Sequence, residues 1–249
     1  MALTLIVLAA AYGAAAGLLL PRPAHRLAVG PGEEWRAVCP GGHAITGPAR
    51  GWLGRGHCRD CGAYGPGPLP TATVTALACA ALAAATGPRP ELVAWLLMTP
   101  LAVLLTAVDR RVRRLPDALT LSLAVVGAGA LGLVARLTGE TGAWRRALLG
   151  GLLLGVCYLL LHAVNPRGLG LGDVKLAVGL GVALGWYGWR TLVTGGAAGV
   201  LSGALYGAGL LLSRRGGRDT AMPLGPFMIF GAFCGLLLGA AAAATAAAA

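Results

Sequence analysis

The sequence predicts an all-α, polytopic membrane helical bundle with about eight transmembrane helices, and three observations lead there. Of 249 residues, 57% are hydrophobic and 12% charged, with a mean hydropathy of +0.74; this excludes a disordered chain and does not suit a soluble domain. The apolar residues gather in runs close to the roughly 20 residues that a helix needs to cross a bilayer. Within hydrocarbon every backbone polar group needs an internal partner, so runs of this length fold as helices.

Residues 2–20 are apolar apart from Thr4 and Tyr12. The run is long and no basic stretch precedes it, so it reads as an uncleaved first span and not as a signal peptide. Residues 21–70 change character, to Arg, His, Gly and Pro with a few acids, and form a water-exposed loop. Apolar runs resume at 71–87, 91–108, 118–135, 147–164, 174–189, 191–212 and 224–248, so residues 71–249 make a seven-helix core. Within them Gly127, Gly151, Gly155, Gly179, Gly203 and Gly207 permit close helix approach.

The formal charge of +11 reports topology in such a chain before it reports nucleic acid, which is not an expected partner. Loops alternate sides, so 21–70, 109–117, 165–175 and 213–221 share one face and hold most of the 20 basic residues. Arg89, Arg136, Arg145, Arg146 and Arg190 are left for the other. The Arg-rich face is expected to be cytoplasmic, meeting anionic lipid headgroups, with both termini outward. Lys175 is the one lysine. It stands about 200° around a helix from position 173 and need not face the same way.

Asp109 ends the third run and Asp173 opens the sixth, so the alternation puts both at the same membrane depth. Intramembrane acids are costly to desolvate and are candidates for function. Two carboxylates in one site cannot both ionise easily, and a pair sharing a proton can activate water against a peptide carbonyl. Gly168, Gly170 and Gly172 alternate before Asp173, where a substrate strand can lie alongside, and a helix N-terminus suits a negative Asp173. Asp117 reads as the N-cap of the next helix, and Asp219 as a solvated residue of an Arg/Gly turn. An alternative is a transporter or scaffold whose carboxylates relay protons or anchor helices.

The order Val108-Asp109, Leu115-Pro116-Asp117, Gly170-Leu171-Gly172-Asp173-Val174-Lys175-Leu176 and Pro223-Leu224-Gly225-Pro226-Phe227 resembles the type IV prepilin peptidases, membrane aspartic peptidases of the Gly-x-Gly-Asp class. The resemblance implies that Asp109 and Asp173 are catalytic and that no metal is needed at the pair. Gly170, Gly172, Lys175, Pro223, Gly225 and Pro226 would shape the site. It further implies cleavage after a Gly in the leader of a prepilin or pseudopilin-like substrate, at the cytoplasmic face of the bacterial inner membrane.

Cys79, Cys157 and Cys234 fall in spans as small apolar fillers, whereas Cys39, Cys58 and Cys61 share the polar loop with His43 and His57. Cys58-Arg59-Asp60-Cys61 is half of a zinc knuckle. The family that the chain resembles carries two Cys-x-x-Cys pairs here, and Gly42 stands where one cysteine would be. His43 is expected to replace it, giving Cys39, His43, Cys58 and Cys61 as ligands of a structural zinc. A disulfide is disfavoured on the cytoplasmic side, and His57 is the weaker ligand. Many family members also methylate the product. This chain has Ala16-Gly17-Leu18-Leu19-Leu20-Pro21 in place of the usual Gly-Ser-Phe-Leu-Asn segment and no glycine-rich signature for S-adenosylmethionine, so methyl transfer is not carried over.

Overall fold

The computed structural model describes residues 2–30, 32–166, 168–213 and 223–248. Arg167, Arg214, Arg215, Arg218 and Asp219, assigned above to turns, lie outside the described residues. The elements run α1 (Ala2–Leu19), α2 (Pro21–Leu27), α3 (Pro48–Gly51), β1 (His57–Cys58), β2 (Gly62–Ala63), α4 (Pro68–Thr86), α5 (Leu92–Val112), α6 (Asp117–Thr138), α7 (Thr141–Val164), α8 (Leu171–Trp186), α9 (Trp189–Leu212) and α10 (Gly225–Ala248). The protein is an all-α bundle. Each apolar run forms a helix, and the shifts at the ends have local causes. α4 starts early because Pro68 and Pro70 suit a first turn, where the missing N–H costs nothing. α5 runs on past Asp109 until Arg113 turns left-handed at φ 51° and its N–H closes on the Asp109 carbonyl at 2.8 Å.

Among the described residues, seven helices are long and apolar enough to cross a membrane. The sixth run is the exception to the expected eight: α8 has 16 residues, about 24 Å of rise against about 30 Å of hydrocarbon. Its second half, Leu176 to Trp186, is buried apart from half-buried Val178. α7 lies along it, with α6 and α10 on its other sides. The α7 contact is backbone on backbone: a Cβ on Gly185 would stand 2.7 Å from the Arg146 carbonyl, and one on Gly150 2.7 Å from the Gly181 carbonyl. Any side chain there would push the two helices apart.

The loop of residues 21–70 folds over one end of the bundle. Arg114, in the α5–α6 turn, donates to the Gly30 carbonyl at 2.8 Å, and Arg22 reaches the Thr46 carbonyl at 2.7 Å. Inside the loop Cys39, Ile45 and Tyr64 form a small core, and buried His25 of α2 packs edge-on to Tyr64 at 4.8 Å. At the opposite end of the bundle, buried Glu91 pairs with Arg89 at 3.3 Å and accepts from the Tyr187 hydroxyl at 3.3 Å, which in turn accepts from Trp95 Nε1 at 3.0 Å. Arg89 also donates to the Ala240 carbonyl of α10 at 2.6 Å. A buried carboxylate is tolerated when it is this fully partnered.

Candidate active site

Asp109 occupies the last turn of α5 and is 3% exposed. Its Oδ2 accepts the backbone N–H of Gly225 at 3.0 Å. Gly225 opens α10, where the first N–H groups have no partner within the helix. A carboxylate from another span supplies one. Position 225 has to be glycine for this: a Cβ there would lie 2.7 Å from Asp109 Oδ2 and 3.3 Å from Leu115 Cδ2. Pro223 precedes the helix and Pro226 follows in its first turn, where a missing donor costs nothing.

Asp173 is the third residue of α8 and is half-buried. Its carboxylate folds back to accept the Gly170 N–H at 2.9 Å, while its own N–H donates to the Gly170 carbonyl at 3.1 Å. Gly170 is extended at the cap, with φ −83° and ψ 157°. A reciprocal turn of this kind fixes where the side chain leaves the helix. Next to it, Gly172 faces the α5–α6 turn, where a Cβ would come within 3.0 Å of Leu115 Cβ. Leu115 therefore touches both the glycine that holds Asp109 and the glycine beside Asp173. The two carboxylates thus flank the same α5–α6 turn.

Lys175 points elsewhere. Its Nζ lies 2.7 Å from Asp117 Oδ2, and so it ties α8 to α6. The capping role expected of Asp117 is not what forms: Pro116 holds the cap position of α6, no side-chain cap bond is made, and Asp117 sits in the first helical turn with its carboxylate turned to Lys175. Sequence reasoning also passed over Tyr158 of α7, which is 3% exposed. In an apolar run, a tyrosine gives no signal of its own.

The cysteine-rich loop builds a second cluster. Two short turns, closed by the Val38–Ala44 bridge and by the β1–β2 pair, bring Cys39, His43, Cys58 and Cys61 together with all donor atoms within 4.8 Å of one another. His57 is not in the cluster. Cys39 Sγ is 3.5 Å from Cys61 Sγ and 3.6 Å from His43 Nδ1, and Cys58 Sγ is 3.7 Å from His43 Nδ1. Bonds of about 2.3 Å to sulfur and about 2.0 Å to nitrogen in a tetrahedron put donors roughly 3.5–3.8 Å apart. These four can hold a metal. The site needs small residues around it: a Cβ on Gly41 would run into Cys61 Sγ. Burial works against charge on Cys39, but the His43 N–H and the Cys61 and His43 side chains outweigh it and bring its thiol down to about 6. Cys61, hydrogen-bonded to Cys39, is pushed up to about 11. The shift of Cys39 is in the direction of the thiolate, the form that metals bind.

The chain matches the model of the type IV leader peptidase family over residues 95–246. It is 34% identical over 212 residues to the prepilin leader peptidase/N-methyltransferase of Aeromonas hydrophila, covering 82% of this chain and 72% of that one. The protein of the same name from Burkholderia pseudomallei (strain 1026b) is 31% identical over 220 residues, covering 82% and 67%. No solved structure matches.

Proposed function

The chain belongs to the type IV leader peptidase family, and from that premise we propose that Asp109 and Asp173 are the dyad with which this membrane peptidase cleaves the leader of prepilin-type proteins. The observation that carries the reading is the arrangement around Leu115. Two acids from separate helices flank it, and among the described residues each accepts one backbone N–H through its Oδ2. Both carboxylates sit at helix N-termini, Asp173 in the first turn of α8 and Asp109 against the N–H that opens α10, so both places favour negative charge and the pair shares one proton.

In this mechanism water attacks the scissile carbonyl carbon as the ionised aspartate takes a proton from it and the protonated one gives its proton to the carbonyl oxygen. The gem-diol then collapses: the C–N bond breaks, the proton taken from water goes to the amine nitrogen, and one hydroxyl returns its proton to the aspartate that gave one up, which restores the singly protonated dyad. The peptide has to enter in extended form.

The basic loops that pack together over this end of the bundle support placing it at the cytoplasmic face of the bacterial inner membrane, in contact with anionic lipid. Zinc is the metal that suits three sulfurs and one imidazole nitrogen. Cys39, His43, Cys58 and Cys61 would hold it as a structural ion, clamping the two turns of the loop. Our reading stops at hydrolysis and does not take in the methyl transfer named for the relatives. Replacing Asp109 or Asp173 by Asn is expected to abolish processing of a co-expressed prepilin while the protein still accumulates in membranes. Normal processing by either variant overturns the dyad.

A further inference from the structure

The amide that holds Asp173 is itself held. The peptide group joining Leu169 to Gly170 gives its N–H to Asp173 Oδ2 at 2.9 Å, and its carbonyl oxygen accepts from His162 Nδ1 at 2.6 Å. A carbonyl can only accept, so this ring nitrogen carries a proton. His162 is half-buried in the last turn of α7. The chain beyond it is drawn back on itself, with the Gly168 N–H on the Asn165 side-chain oxygen at 3.1 Å and the Leu169 N–H on the Asn165 carbonyl at 3.2 Å. This turn brings the Leu169 carbonyl to the imidazole. Neither the dyad nor the cysteine cluster uses His162.

We propose that His162 is a positioning residue for the dyad, acting on Asp173 through the Leu169–Gly170 amide; the proposal rests on the peptidase reading above. Two effects run along this line. The amide is planar and rigid, so pinning its oxygen to the ring also aims its N–H at Asp173 Oδ2. Resonance adds polarisation, because a hydrogen bond on the oxygen draws electrons from the nitrogen and makes the N–H a better donor. Comparison with the other acid shows why a side chain is needed. Asp109 is held by the Leu224–Gly225 amide, whose carbonyl accepts the N–H groups of Phe227 and Met228 at 3.1 Å, inside α10 itself. The Leu169 carbonyl precedes the cap of α8, and the first turn of that helix bonds back to Gly170 instead. The imidazole of α7 supplies the donor that α8 does not.

The test sets three substitutions of His162 against one another. His162→Leu removes the donor, His162→Asn keeps an N–H close to the place of the ring's Nδ1, and His162→Gln keeps one only at the place of the other ring nitrogen. Asn165→Ala is the control for a looser turn, since it strips a side-chain bond from the same segment without touching the amide. Each protein is purified in detergent and given full prepilin over a range of concentrations, with thermal unfolding measured alongside. In His162→Leu and His162→Gln, kcat is expected to fall about five- to tenfold, the scale of weakening one charge-assisted hydrogen bond, with KM within about twofold. His162→Asn and Asn165→Ala should both keep kcat within about twofold. If the leucine variant does not accumulate, the Asn and Gln pair carries the same comparison. Unchanged kcat in His162→Gln, equal loss in His162→Asn, or a change confined to KM overturns the positioning role. Equal loss in Asn165→Ala overturns it too, because stiffness of the turn would then account for the effect. A wild-type protein that leaves prepilin uncut would instead sink the peptidase reading itself.

Discussion

Gly225 is the position where one added carbon should matter most. In Gly225→Ala the new Cβ would lie 2.7 Å from Asp109 Oδ2 and 3.3 Å from Leu115 Cδ2, closer to the oxygen than real Cβ atoms come. α5 is pinned at this turn by Arg113, so the carboxylate has to swing away and its 3.0 Å bond to the Gly225 N–H is lost or badly bent. A hydrogen bond to a charged group contributes about 1.5–3 kcal/mol, which corresponds to roughly a 10- to 150-fold fall in turnover. Stability should fall as well, by a comparable amount of at most about 1.5–3 kcal/mol, since the lost bond is buried. Gly170→Ala is the matched control: its Cβ would stand 3.5 Å from Asp173 Oδ2, an ordinary contact, and its φ of −83° suits any residue. It should cost less than a few-fold. The assay is the initial rate of prepilin cleavage by purified protein in detergent, read from the shift in substrate mass, with thermal unfolding measured alongside. Wild-type turnover in Gly225→Ala, or a larger effect in Gly170→Ala, would refute the reasoning.

Lys175→Met tests whether the lysine acts on the reaction or on the fold. Its bond to Asp117 is short, but both side chains are more than a third exposed, so the pair contributes at most about 1 kcal/mol, and turnover should fall less than about fivefold. Complete loss of kcat with unchanged unfolding temperature would give Lys175 a direct part instead. For the cysteine loop, metal analysis of the purified protein should find one zinc per chain. His43→Ala or Cys61→Ser should lose it while His57→Ala keeps it, and a dependence on His57 would contradict the ligand set.

The fold class was legible because each helix announces itself by composition over twenty residues. The dyad was nominated by short motifs, each local in sequence. What stayed hidden was long-range or depended on competition between neighbours. The Gly225–Asp109 bond joins residues 116 apart, and nothing in Pro-Leu-Gly-Pro names its acceptor. Asp117 has the right residue type for a cap, yet the extended Pro116 before it takes the position and leaves the carboxylate to Lys175. α8 has the 16 residues of the run read as 174–189 but starts and stops three residues earlier, with Gly188 at φ +111° just past its end; hydropathy alone does not register a turn made by one glycine. His43 was reachable from ligand chemistry, but that its Nδ1 is the atom facing the sulfurs needed coordinates.

The bond between Gly225 and Asp109 also sets a schedule. A ribosome adding about 5–20 residues per second takes roughly 6–23 s to travel from one partner to the other. Throughout that interval the first acid is already threaded into the bilayer without the amide that orients it. On the proposed dyad, the site is complete only once α10 has been made and has docked against α5.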